Sequence, residues 1–205
     1  MSNVTYEFEK RTQSLETYEW DYVWWDHAGT QGVSRVLYIG DSISFATRPI
    51  ATACANNDIL FDGFSTSKSL DNPYFQDAIR LFALQQGERK DIVFNNGLHG
   101  WHLDDTKEYK EYYEKFIQFL LKEFEGTPII LLLTTAVENS ERNARVQVRN
   151  KAVEELAKKY DLPVLDFYSP IDQHREHIFS DGVHLIPVGY KLLAEMLVEK
   201  VQEII

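Results

Sequence analysis

Cysteine is almost missing: Cys54 stands alone among 205 residues. An intrachain disulfide is therefore impossible, and a zinc ribbon, which needs several thiolates, is excluded. Glycine and proline are sparse, at ten and six, too few for a collagen-like or low-complexity chain. The longest apolar run goes only from Ile129 to Leu133, far short of the roughly 20 residues of a membrane span. The opening segment MSNVTYEFEKRTQSLE lacks an apolar h-region and does not read as a signal peptide. The expectation is a soluble, cytoplasmic protein. Basic residues are outnumbered, 21 against 32 acids, for a formal charge of −11. That field repels a phosphate backbone and an anionic membrane surface, so neither nucleic acid nor membrane is an expected partner. Composition leaves the oligomeric state open.

What is present suits one ordinary domain. Hydrophobic residues make up 44% and charged residues 26%, and a chain of this length buries a full core without staples. Short apolar runs flanked by turn residues read as buried strands: Arg35 to Ile39, Asp58 to Phe61, Asp91 to Phe94, Pro128 to Thr135 and Leu162 to Phe167. Between them lie amphipathic stretches. Thr106 to Phe124 and Glu141 to Tyr160 carry apolar residues at helical spacing, and Pro187 suits the first turn of a last helix reaching about Ile204. Alternating strands and helices predict a parallel sheet with right-handed crossovers, and functional loops at the carboxyl ends of the strands. No internal repeat or linker interrupts the pattern.

Residues 1–32 stand outside this alternation and read as an N-terminal arm packed on a domain of residues 33–205. The arm holds Trp20, Trp24 and Trp25. Its aromatics are expected to cover one edge of the core; the alternative is a sugar-stacking rim beside the site.

Three segments carry chemistry. Gly40-Asp41-Ser42-Ile43-Ser44 follows the first strand. A serine on a strand-to-helix turn exposes its hydroxyl near backbone N–H groups and a positive helix end, although a helix N-cap serine has the same look. A Gly-Asp-Ser tripeptide arises by chance in about 5% of chains this long, so it needs support. Ser180-Asp181-Gly182-Val183-His184 precedes the last helix; a histidine base requires a carboxylate to fix its tautomer. Asn95-Asn96-Gly97-Leu98-His99-Gly100-Trp101 follows the third strand. Such a loop can aim donors at an oxyanion, or simply form a turn.

In this order and at these strand ends, the three segments resemble the GDSL/SGNH hydrolase superfamily over about residues 33–205, in a subgroup reading Asn-Asn-Gly-Leu-His in the third block. The resemblance implies a flavodoxin-like three-layer α/β sandwich with a five-stranded parallel sheet. It also implies a serine esterase with Ser42 as nucleophile, His184 as base and Asp181 as its orienter. The family's third block reads Gly-x-Asn-Asp; here His99 takes the place of the oxyanion-donating Asn, and imidazole N–H can still donate. Gly63 or Thr66 would supply the second-block N–H, and Ser42 N–H the remaining donor. Asp41, Arg48, Asn96 and Trp101 are candidate substrate contacts. Small acyl esters, such as acetyl groups on carbohydrate, are the implied substrates, with no cofactor.

Rival readings are an O-acyltransferase on the same three residues and a non-catalytic carbohydrate-binding protein. His99-x-x-His102 with Asp104 and Asp105, and His174-x-x-His177, have metal-ligand spacing, but surface or loop histidines explain them and no metal is expected. The Gly-x-Ser-x-Gly elbow, Gly-x-Gly-x-x-Gly and P-loop patterns are all missing.

Overall fold

Strand residues alternate between two apolar cores. Along Val36-Leu37-Tyr38-Ile39, Leu37 and Ile39 join a cluster with Phe94, Tyr113 and Phe116, while Val36 and Tyr38 join one with Ile43, Leu193 and Leu197. A sheet buried on both faces explains why its strands read as continuous hydrophobic runs. The computed structural model describes residue 15 and residues 18–103 and 106–204.

The strands are β1 (Asp21–Trp24), β2 (Ser34–Gly40), β3 (Ile59–Thr66), β4 (Asp91–Phe94), β5 (Ile129–Leu132) and β6 (Val164–Leu165). The helices are α1 (Ser42–Cys54), α2 (Phe75–Gln86), α3 (Thr106–Glu123), α4 (Ser140–Tyr160), α5 (Tyr168–Gln173) and α6 (Pro187–Gln202). The sheet has six strands in the order β1-β3-β2-β4-β5-β6. Its parallel part, β3-β2-β4-β5-β6, has the doubly wound 2-1-3-4-5 order, with helices on both faces.

The expected five-stranded sheet needs correction. The sixth strand, β1, comes from the N-terminal arm and pairs antiparallel with β3, from Asp21↔Thr66 to Trp24↔Gly63. An antiparallel edge strand on a parallel sheet is a common solution. The arm is fastened at its other end by charge. Arg35 Nη1 binds both oxygens of Asp62 at 2.9 Å and also Asp26 O at 3.1 Å, while Asp26 N–H donates to Asp62 Oδ1 at 2.7 Å. Asp62 is thus a buried carboxylate with its acceptors occupied, as burial demands.

Topology places the functional crevice. Strand order reverses between β2 and β4, and ligand sites in such sheets lie outside the carboxyl ends of the strands at that point. There β2 gives way to α1, and β4 to the loop starting at Asn95. No helix among the described residues is long and apolar enough to cross a membrane.

Candidate active site

The turn from β2 into α1 is tight because of Gly40. A Cβ there would lie 2.7 Å from Ser44 Cβ, so a side chain would push strand and helix apart. Asp41 caps α1, its Oδ1 accepting from Ile43 N–H at 2.9 Å. Ser44 Oγ donates to Asp41 O at 2.6 Å and lies 2.8 Å from Ser65 Oγ on β3. Ser42 is therefore the first residue of a fixed helix. Its N–H belongs to the first turn, where backbone donors have no intrahelical acceptor.

His184 reaches Ser42 from far along the chain: its Nε2 lies 2.8 Å from Ser42 Oγ. Its Nδ1 lies 2.7 Å from Asp181 Oδ2, and Asp181 Oδ1 accepts from Val183 N–H and His184 N–H at 2.9 Å each. Burial pushes the Asp181 carboxyl up, but the Val183 and His184 hydrogen bonds prevail and hold it below the usual carboxylate range. The carboxylate can then only accept, so Nδ1 carries the proton and Nε2 is left to accept from Ser42. The loop is pinned at its root by the Ile178↔Leu185 bridge and by Phe179 N–H on His184 O at 2.7 Å. Glu138 N–H on Gly182 O, at 2.8 Å, ties its tip to the segment after β5.

The loop after β4 is held from below. Asn95 Nδ2 donates to Leu132 O at 2.9 Å and Thr134 Oγ1 at 3.0 Å. Asn96 Nδ2 donates to Lys68 O at 2.8 Å, joining this loop to the one after β3. Gly97 is obligatory, since a Cβ would meet Thr134 Oγ1 at 1.7 Å. Arg149, from α4, was not anticipated. Its guanidinium donates to Gly97 O at 3.1 Å, His99 O at 2.7 Å and Gly100 O at 2.7 Å, and it lies over the Trp101 and Tyr109 rings. Burial pushes its pKa down to about 10, so it remains charged at neutral pH. Its sequence signal was an arginine on the buried stripe of α4 with Val146 and Val153.

The remaining candidates separate by position. Gly40 pairs with Ser65, so Thr66 stands next along β3, level with the start of α1; Gly63 pairs with Tyr38, deeper in the sheet. Arg48 Cδ lies 2.6 Å from where a Gly63 Cβ would be. Gly63 is thus a packing glycine, and the structure does not bring it to Ser42. His99 is buried with its ring edge-on to Trp20, centroids 5.9 Å apart. The four candidate substrate contacts are all buried and hold structural contacts. Asp41 is the helix cap. Arg48 donates to Phe61 O and Asp26 Oδ2 at 3.3 Å and sits over Trp24. Asn96 is the loop tie, and Trp101 is covered by Arg145 and Arg149.

The histidine pairs also part company. His102 Nε2 lies 2.8 Å from Asp71 Oδ2 rather than joining His99, and Asp104 and Asp105 lie outside the described residues. His174, Glu176 and His177 each bring one ligand atom within 4.8 Å of the others, and His174 Nδ1 already lies 3.0 Å from Glu176 Oε1.

Comparison with known proteins places the fold. No protein-family model matches the chain, and no curated protein matches it. Solved structures do. An acetyl xylan esterase superposes with a TM-score of 0.66 at 16% identity, covering 82% of this chain and 99% of that one. A lipase/acylhydrolase from Enterococcus faecalis gives 0.65 at 18%, covering 83% and 96%. A carbohydrate acetylesterase from Sinorhizobium meliloti gives 0.65 at 12%, covering 84% and 100%. At these identities the likeness is one of fold.

Proposed function

We propose that this chain is a serine ester hydrolase of the GDSL/SGNH type, acting on small acyl esters such as O-acetyl groups of carbohydrates. One observation carries the reading: the hydrogen-bonded chain Ser42 Oγ to His184 Nε2 at 2.8 Å and His184 Nδ1 to Asp181 Oδ2 at 2.7 Å, at the first turn of a helix on the topological switch point. The fold shared with acylhydrolases and carbohydrate acetylesterases supports it.

Ser42 Oγ attacks the ester carbonyl while its proton passes to His184 Nε2, and Asp181 stabilises the imidazolium. The tetrahedral oxyanion accepts from Ser42 N–H, from backbone N–H at Thr66 and from the His99 ring. Collapse expels the alcohol with the proton from His184, leaving an acyl group on Ser42. Water, deprotonated by His184, then releases the acid and restores the hydroxyl. The side chains of His184 and Asp181 are each 43% exposed, so water can reach the acyl-enzyme for the second step. No step calls for a metal or cofactor.

The test is a panel of aryl esters from acetate to decanoate with acetylated sugars alongside. The wild-type protein should favour the short esters. Ser42→Ala should lower kcat by about 10⁴ to 10⁶; full activity in a folded Ser42→Ala protein refutes the proposal.

A further inference from the structure

Large aromatic side chains left open to solvent call for a reason. On β1 the residues alternate. Trp25, directly after β1, stacks on Phe82, with centroids 4.6 Å apart. Trp20, Tyr22 and Trp24 belong to the other face, since side chains two apart share a side of a strand. Trp24 and Tyr22 are exposed to similar extents, 53% and 56%; Trp24 lies against the Arg48 guanidinium, while Tyr22 meets other rings. The Tyr22 ring lies 5.3 Å from Trp20 on one side and 5.0 Å from Phe45 on the other. Phe45 is itself 40% exposed.

These rings adjoin the proposed reaction centre at both ends. Phe45 follows Ser42 by three residues on α1, a spacing that puts both on one helix face with Cβ atoms roughly 5–6 Å apart. At the far end, Trp20 meets His99, and Trp20 O accepts from Ser67 N–H and Thr66 Oγ1 at 3.1 Å. Trp20, Tyr22 and Phe45 thus form one aromatic patch, neighbouring rings tilted by 48° and 36°. It runs from the nucleophile's helix to the oxyanion loop.

We infer that this aromatic patch is the alcohol-side subsite and that its ligand is the pyranose ring of an O-acylated sugar. The inference rests on the esterase reading and names what lies across the ester from the acyl group. Aromatic faces carry negative charge density and attract the C–H-rich face of a sugar, while the Trp20 indole N–H and the Tyr22 hydroxyl supply polar contacts at the ring edges. Tyr22 and Phe45 are open to solvent, which suits a flat polar ring held on one face; a long acyl chain calls for an enclosed apolar channel. The formal charge of −11 disfavours an anionic ligand and leaves a neutral sugar unopposed.

The experiment compares kcat/KM for an O-acetylated hexopyranoside with kcat/KM for 4-nitrophenyl acetate, which presents no sugar. Tyr22→Ala, Phe45→Ala and Tyr22→Trp are measured with the wild type, with thermal unfolding as the check on folding. The ratio of sugar ester to aryl ester should fall at least tenfold in the two alanine variants, through KM, and recover in Tyr22→Trp. An unchanged ratio overturns the inference, whether both esters suffer equally or neither does. So does a selective loss on 4-nitrophenyl decanoate, which would make the patch an acyl-chain contact. A wild-type protein inert on every ester overturns the esterase reading and this inference with it. An active wild type with an unchanged ratio overturns the inference alone.

Discussion

Asp91 opens β4 with 1% of its surface exposed, and neither of its carboxylate oxygens finds a hydrogen-bond partner. Burial pushes its pKa up to about 6, with the charge of Lys90 pulling the other way. An unfolded aspartate titrates near 3.9. Between about pH 4 and 6 the native state therefore holds more protons than the unfolded state, and stability falls as pH rises through that window. Two units of displacement correspond to about 3 kcal/mol at most. Asp91→Asn removes the buried charge and keeps the shape. Any cost of burying the amide is the same at every pH, so the pH-dependent part of the difference isolates the carboxylate. Urea unfolding of both proteins at pH 4 and pH 7.5 should show their free-energy gap shifting in favour of the asparagine variant by up to about 3 kcal/mol. At ordinary urea slopes that is about 1 M in midpoint. A gap that stays constant across this range would refute the assignment of a charged, unpartnered Asp91 in the native protein.

Three further outcomes test the site. Asp181→Asn should lower kcat on aryl acetate by about 10³ to 10⁴ in a folded protein, because the amide no longer fixes the His184 tautomer; a loss below tenfold would deny Asp181 that role. His99→Ala should lower kcat by about 10² to 10³ with little change in KM, and His99→Asn should restore part of the loss; near-wild-type kcat in His99→Ala removes His99 from the oxyanion hole. Arg149→Met leaves three carbonyls of the Gly97–Gly100 loop without their charged donor and should cost on the order of 3 kcal/mol in urea unfolding. Arg149→Lys should rescue little of this, since an ammonium cannot reproduce the forked contact; full rescue would show that charge alone holds the loop.

The parallel sheet was legible because its strands are buried on both faces and leave short apolar runs between turn residues. Long periodic helices read well too: α3 and α4 fall within a residue of the expected ends, where helical spacing persists over several turns. Strand β1 was not legible as a strand. Asp21-Tyr-Val-Trp24 is short and exposed throughout, and its place comes from pairing with β3, a tertiary contact that no local pattern encodes. Ser42, Asp181 and His184 stood out because the turn and the Asp-x-x-His spacing are local. The places of Arg149, Thr66, Gly63 and Arg48 turned on register and burial. Gly63 looked like a loop donor until its pairing with Tyr38 put it in mid-strand.

Strand β1 also bears on where this chain can be cut. Every residue from Ile59 to Thr66 is buried, and β1 occupies the side of β3 that faces away from β2. A chain beginning at residue 33 would lose those four antiparallel pairs. The bare side of β3, with its unpaired amides and apolar side chains, would become a template for another copy to add a strand. Asp62 would lose the Asp26 N–H, and Arg35 its three carbonyl acceptors at Asp26, His27 and Thr30. The boundary between residues 32 and 33, which the hydrophobic alternation marks as the start of a domain, is thus a poor place to trim. A protease that nicks the turn there and releases the arm would leave a chain prone to self-association.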